Sequence, residues 1–151
     1  MSAPPYLPAR YLIPDDRAEW LRMRQSLWPN PDAEAQLADM DDWLAAPDTV
    51  VLVVPRVEVG LAGFAEVGTR SVAESCESSP VAFLEGWYVD PDLRRRGVGA
   101  ALVQAAEAWA RGKGLTELAS DTQLANVGSQ RAHAALGFVE VERLVAYRKV
   151  L

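Results

Sequence analysis

The stretch Val89-Asp90-Pro91-Asp92-Leu93-Arg94-Arg95-Arg96-Gly97-Val98-Gly99-Ala100 constrains this chain more than any other. An apolar run ends at Val89, Pro91 breaks it, and three arginines and two glycines follow. A helical stripe of Val98, Ala101, Leu102, Ala105 and Trp109 then begins. The pattern predicts a strand feeding a turn that opens a helix over 97–111, stopped by Gly112 and Gly114. Glycines let the backbone approach a ligand closely. First-turn N–H groups have no partner inside the helix, and the helix dipole favours negative charge there. Arginines add charge-assisted hydrogen bonds to phosphate. The turn is expected to hold a phosphate or pyrophosphate; the alternative is a helix start whose arginines are merely solvated. It is not a P-loop, which needs a lysine the turn lacks. It is not a dinucleotide fingerprint either: Leu102 stands where the third glycine belongs, and several strands come before it.

Elsewhere the order of elements is legible. Residues 1–9 carry Pro4, Pro5 and Pro8 and are expected to form a flexible tail, leaving 10–151 as a single domain. Arg10 to Ile13 reads as a short strand. Pro14-Asp15-Asp16 starts a helix that Pro29 ends, and a second helix runs from Pro31 to about Ala45. Thr49 to Val54 and Val59 to Val67 form an antiparallel hairpin about Pro55-Arg56. Residues 68–80 are a polar loop, and Pro80 to Val89 is a strand interrupted at Glu85-Gly86. After the 97–111 helix come a strand at Thr116 to Asp121, a helix capped by Asn126 and stopped by Gly137, and a final extended segment, Phe138 to Leu151. This is an α/β (α+β) fold: a central mixed, mostly antiparallel sheet flanked by helices.

Composition narrows the function classes. Asp and Glu number 21 against 15 Lys and Arg, a formal net charge of -6, which argues against a nucleic-acid surface and suits a cationic partner. One cysteine, Cys76, excludes an internal disulfide, and one histidine, His133, removes most zinc sites, so no metal is expected. No apolar run is long enough to span a membrane, and the start Met1-Ser2-Ala3-Pro4-Pro5 has neither basic head nor apolar core. The expectation is a cytoplasmic protein.

Arg94-x-x-Gly97-x-Gly99 matches the Arg/Gln-x-x-Gly-x-Gly/Ala pattern of the GNAT (Gcn5-related) N-acetyltransferases, and Leu136-Gly137-Phe138 resembles their second landmark. Four further segments resemble the aminoglycoside 6′-N-acetyltransferases: Leu27-Trp28-Pro29, Ser78 to Gly86, Ala119-Ser120-Asp121-Thr122, and Ala135-Leu136-Gly137-Phe138-x-Glu140-x-Glu142-Arg143. The resemblance implies acetyl transfer from acetyl-CoA to the 6′-amino group of a cationic antibiotic, by direct attack of the amine on the thioester, in a homodimer. The alternatives are a GNAT enzyme acting on another small amine, a polyamine or a protein, and a non-catalytic CoA-binding module.

It also implies residue roles. Trp87, Tyr88 and Val89 would bind pantetheine through main-chain atoms, next to a bulge at Glu85-Gly86. Arg95, Arg96, Gly97, Val98, Gly99 and Ala100, with Arg94 nearby, would cradle the pyrophosphate. Asn126 would contact CoA, serve as an N-cap, or both. Glu85, Asp121 and Glu142 would bind the substrate's ammonium groups, with Trp28 against the sugar; solvated carboxylates and a core tryptophan are the alternatives. Asp121 or Glu85 would be the base. Asp39-Met40-Asp41-Asp42 reads as a solvated helix face; the alternative is that it assists on the substrate side. His133 stands where many family members have a tyrosine acid, and would donate a proton or simply pack. The 68–80 loop lacks the aromatic that lines the antibiotic site in similar chains.

Overall fold

The computed structural model describes residues 2–151. Its elements run β1 (Arg10–Tyr11), α1 (Arg17–Leu27), α2 (Ala33–Ala45), β2 (Val50–Pro55), β3 (Leu61–Arg70), β4 (Val81–Val89), α3 (Val98–Gly112), β5 (Leu118–Ser120) and α4 (Val127–Ala135). Single 3₁₀ turns at Pro14–Asp16 and Pro91–Leu93 lead toward α1 and α3. The sheet order is β1-β2-β3-β4-β5, antiparallel throughout except for the parallel β4–β5 pair.

Helices cover both faces of the sheet, which is why β2 is a continuous apolar run rather than an alternating one. Leu52 and Val54 face α3 and pack with Val98, Leu102, Ala106 and Trp109. Val51 and Val53 face the other way, onto Trp20 and Met23 of α1 and Met40 of α2. Trp20 is fully buried, while Trp43 packs at the edge of the same cluster and donates from Nε1 to the Val50 carbonyl at 3.4 Å.

Three expectations need adjustment. β3 continues through Gly68 and Thr69 to Arg70, each paired with β4, so the polar loop spans 71–80 rather than 68–80. In the segment expected to be a loose tail, Tyr6 bridges Arg56, Leu7 donates to the Pro55 carbonyl, and the Tyr6 hydroxyl donates to the Arg96 carbonyl at 2.6 Å. The final segment forms no strand within this chain. Phe138 packs against the core, but Val139, Val141, Leu144, Val145 and Tyr147 are exposed. Both sheet faces are already covered by helices, so these side chains have no layer of their own chain left to join.

Candidate active site

β4 carries the centre of the site. Its register with β3 pairs Glu66 with Gly86 and Val67 with Leu84, which leaves Glu85 as the extra residue of a bulge where the apolar run is broken. On its other side β4 pairs with β5 only at Ala82, Phe83 and Leu84. From Glu85 to Val89 that edge is unpaired; main-chain groups alternate along a strand, so those of Trp87 and the N–H of Val89 face it and are available to an extended ligand, while Tyr88 turns its own toward β3.

Past Val89 the chain makes the arginine turn. Arg94 folds back and its Nε donates to the Val89 carbonyl at 2.8 Å, while its guanidinium lies 5.7 Å from the Tyr88 ring centre. Arg95 and Gly97 adopt left-handed backbone, φ +60° and +96°. Such alternation turns successive N–H groups inward to form an anion-binding nest. The first bond of α3 runs from Ala101 N–H to the Gly97 carbonyl, and the N-cap Gly97 offers no side-chain acceptor. The N–H groups of Val98, Gly99 and Ala100 therefore stand free at the positive helix end. Arg94, Arg95 and Arg96 are exposed around them. At Gly99 an added Cβ would meet the Trp87 ring at 3.1 Å, and Trp87 Nε1 donates to the Gly99 carbonyl at 3.3 Å. These residues fit a pyrophosphate.

On the α1–α2 side of the bulge lies an open cleft of about 460 Å³. Glu85, Glu66, Asp39 and Asp42 line it together with Trp28, Trp43 and Arg24. Glu66 is buried against the Arg24 guanidinium, which leaves three reachable carboxylates and two indoles as a surface for a polycation with apolar faces. Trp28 is half-buried, edge-on to Phe64 at 6.3 Å and stacked on Arg24 at 4.9 Å. Arg24 is itself buried: it pairs with Glu66, which also accepts from Trp20 Nε1 at 3.0 Å, and it donates to Gln36 at 3.0 Å. Gln36 in turn donates to the Trp28 carbonyl at 3.1 Å. Burial pushes the Glu66 carboxyl above its ordinary value, an effect that Arg24 and Trp20 only partly offset.

The remaining candidates separate. Asp121 follows Ser120 just as Glu85 follows Leu84, the last pair of the β4–β5 register; it is exposed, and its charge acts on Arg70. Arg70 binds Glu85 through two hydrogen bonds of 2.8 Å each. Glu142 is not brought to this cluster by any hydrogen bond or ion pair among the described residues; it lies on the exposed final segment. Asn126 is an N-cap, accepting from Ser129 N–H at 3.1 Å, which leaves its amide NH₂ free to donate. His133 sits edge-on between Trp87 and Phe138. Its Nδ1 is 2.7 Å from the Ser129 carbonyl and so must carry a proton, and Nε2 is 2.8 Å from Ser120 Oγ.

Sequence reasoning missed Glu66, Arg24 and Arg70 and read Asp39 and Asp42 chiefly as solvated. Glu66 had left a signal, a carboxylate inside the otherwise apolar run Leu61 to Val67. Among the described residues no group of side chains suits a metal ion, and no helix is long and apolar enough to cross a membrane.

Known proteins share this chain's sequence and fold over most of its length. The profile of the acetyltransferase (GNAT) family matches residues 17–138. The chain is 49% identical over 139 residues to aminoglycoside N(6′)-acetyltransferase type 1 of Klebsiella aerogenes, covering 90% of this chain and 91% of that one. It superposes with a TM-score of 0.88 and 38% identity on AAC(6′)-Iy in complex with the bisubstrate analogue CoA-S-monomethyl-acetylneamine, over 95% of this chain and 97% of the other. A second structure, AAC(6′)-Iy in complex with CoA, gives a TM-score of 0.90 at 37% identity, covering 99% of both chains.

Proposed function

The chain belongs to the GNAT acetyltransferase family, and from that premise we propose that it transfers the acetyl group of acetyl-CoA to the 6′-amino group of aminoglycosides, inactivating them. One observation carries the reading. A single strand, β4, leads at its end into the anion cradle and at its bulge presents Glu85 to an acidic, tryptophan-lined cleft, with an unpaired edge between them. That layout suits a reaction joining an anionic donor to a cationic acceptor.

Acetyl-CoA supplies the activated thioester. Toward it, the N–H groups of Gly97 to Ala100 and the side chains of Arg94, Arg95 and Arg96 hold the pyrophosphate, and the Asn126 amide adds a contact. The free edge at Trp87 and Val89 aligns the pantetheine arm, and a backbone N–H there polarises the carbonyl. Toward the antibiotic, Glu85 and Asp121 bind the reacting amine and accept its proton, directly or through water, while Trp28 carries the sugar. An ammonium near neutrality deprotonates readily once its site disfavours its charge, so positioning supplies much of the rate. Both ring nitrogens of His133 are already partnered, which favours a packing role over that of acid. Asp39 and Asp42 take ammonium groups remote from the reacting one. Glu142 contributes only if the final segment lies on another copy of the chain.

The exposed apolar side chains from Val139 to Tyr147 support a homodimer that covers them. Dependence on acetyl-CoA supports a cytoplasmic enzyme. Free-thiol release from acetyl-CoA with kanamycin-like, gentamicin-like, polyamine and peptide amines tests the whole reading. Release is expected with aminoglycosides bearing a 6′-amine; release with peptides or polyamines alone would favour a different GNAT substrate, and acetyl-CoA binding without turnover a non-catalytic module.

A further inference from the structure

Arg70, at the end of β3, sets a second positive charge beside this acidic cleft, on the lining residue Glu85. Its Nε and Nη2 each lie 2.8 Å from a different oxygen of Glu85, a two-point ion pair. Its guanidinium is stacked over the buried Phe83 ring, 3.5 Å from the centre, so the pair is held in place from below. Glu85 foremost, and then the charges of Asp121 and Glu74, stabilise the protonated arginine. The side chain stays 41% exposed and Glu85 28% exposed. It is therefore anchored yet reachable by solvent and by solute. Both oxygens of the carboxylate proposed to receive the substrate amine are thus engaged by a cation of the protein itself.

We propose that Arg70 is a resident counter-ion of Glu85 which the substrate ammonium must displace, setting a threshold of charge that a ligand must meet to occupy the site. The inference rests on the functional reading above, in which Glu85 receives the amine. A ligand with one ammonium exchanges one ion pair for another and gains little, since an exposed pair has small net worth. A ligand with several ammonium groups makes the same exchange at Glu85 and adds contacts to Asp39, Asp42 and Asp121. Its total gain exceeds the threshold. Arg70 thereby favours polycations, and it keeps Glu85 neutralised and ordered while the cleft is vacant.

Isothermal titration of the full chain in the presence of CoA tests this, with kanamycin as polycation and 6-amino-6-deoxyglucose as monoamine. Arg70→Gln should bind kanamycin about five-fold more tightly than the parent, and the monoamine should become measurable. Arg70→Lys, which keeps the positive charge but loses the two-point geometry, should fall between them and serves if the glutamine variant folds poorly. In a Glu85→Gln background the gain from Arg70→Gln should vanish. Unchanged or weaker kanamycin binding in both arginine variants overturns the proposal and makes Arg70 a support for Glu85. A gain that persists without Glu85 overturns it too, in favour of a general charge effect. Thiol release by the parent enzyme reports separately on the functional reading: turnover with kanamycin alongside unaltered variant binding sinks only the exchange, whereas a parent that neither binds nor acetylates kanamycin sinks both.

Discussion

The ring of Trp28 lies directly on the backbone of Gly86: a Cβ at that glycine would stand 2.5 Å from the ring's Cη2. The contact joins the loop after α1 to the bulge of β4, so the aromatic wall of the cleft is set by a strand residue 58 positions away in sequence. Trp28 cannot easily yield, since Arg24 stacks on it and Phe64 meets its edge. Gly86→Ala should therefore displace the ring, with an overpacking cost of about 1–3 kcal/mol. The expected kinetic result is a KM for kanamycin raised about tenfold, with KM for acetyl-CoA unchanged. Steady-state rates with each substrate varied decide it; an unaltered kanamycin KM would remove Trp28 from the antibiotic site.

Beneath that ring, Arg24 and Glu66 form a buried ion pair that also engages Trp20 and Gln36. Arg24→Leu leaves the carboxylate buried without its counter-charge and should destabilise the fold by about 3–5 kcal/mol. Glu66→Gln should cost less than half of that. The Arg24 guanidinium loses its counter-charge, but a neutral amide oxygen still accepts from it and from Trp20, and burial already favours the uncharged form of the carboxyl. Urea unfolding of the two variants measures the difference, and equal losses would show that packing rather than charge dominates.

What was readable in the sequence follows range of interaction. The run of β2 and the turn at Arg94 to Gly99 depend on local pattern, so period and turn chemistry located them. The bulge was visible as Glu85-Gly86 breaking an apolar strand. Arg24–Glu66 and Arg70–Glu85 were not visible, because each pair bridges elements whose register no local pattern encodes. Trp20 and Trp43 lie within the two helices that precede the hairpin, and no local pattern marks a role for either. The fold adds their partners, a buried carboxylate for Trp20 and the Val50 carbonyl for Trp43. The final segment is apolar at Val139, Val141, Leu144 and Val145, yet its own chain offers no surface to cover it. Glu142 was grouped with Glu85 and Asp121 through the family resemblance alone, and no hydrogen bond or ion pair among the described residues joins it to them.

His133 separates a proton donor from a packed side chain. Its ring is fixed by Trp87, Phe138, Ser120 and the Ser129 carbonyl. His133→Phe keeps the aromatic contacts and removes both hydrogen bonds. The expected outcome is a loss of about 1–2 kcal/mol in stability with kcat lowered less than about tenfold. A loss of about 10² or more at unchanged stability is the size associated with a general acid, and would assign that role to the histidine.

At the entrance to the arginine turn, Asp90 is buried and receives Arg22 at 2.9 Å through both oxygens and Arg56 at 2.9 Å. Burial alone would raise its pKa, but the two guanidinium groups outweigh it and hold the carboxyl below its ordinary value of 3.8. With the folded value depressed, the stabilisation is fully present above the unfolded value and is lost as pH falls through the folded one. Asp90→Asn should lower stability near neutrality by about 2 kcal/mol and flatten its decline below pH 4. Thermal melts from pH 7 to pH 2 test this, and parallel acid profiles for parent and variant would assign the decline to other carboxylates.

Gly97 meets two demands that no other residue satisfies together. Its φ of +96° is unfavourable for any side chain, and a Cβ there would come within 2.8 Å of the Tyr6 hydroxyl. That hydroxyl donates to the Arg96 carbonyl at 2.6 Å, so the chain before β1 latches the cradle from outside. Gly97→Ala should distort the N–H groups that open α3 and push Tyr6 away, at a backbone cost of about 1–3 kcal/mol. KM for acetyl-CoA should rise about tenfold or more, while kanamycin affinity measured without CoA stays as in the parent. Tyr6→Phe, which removes only the latch, should give a smaller shift in the same constant. If kanamycin affinity fell with that for acetyl-CoA, the turn would be supporting the whole of β4 rather than the cofactor cradle alone.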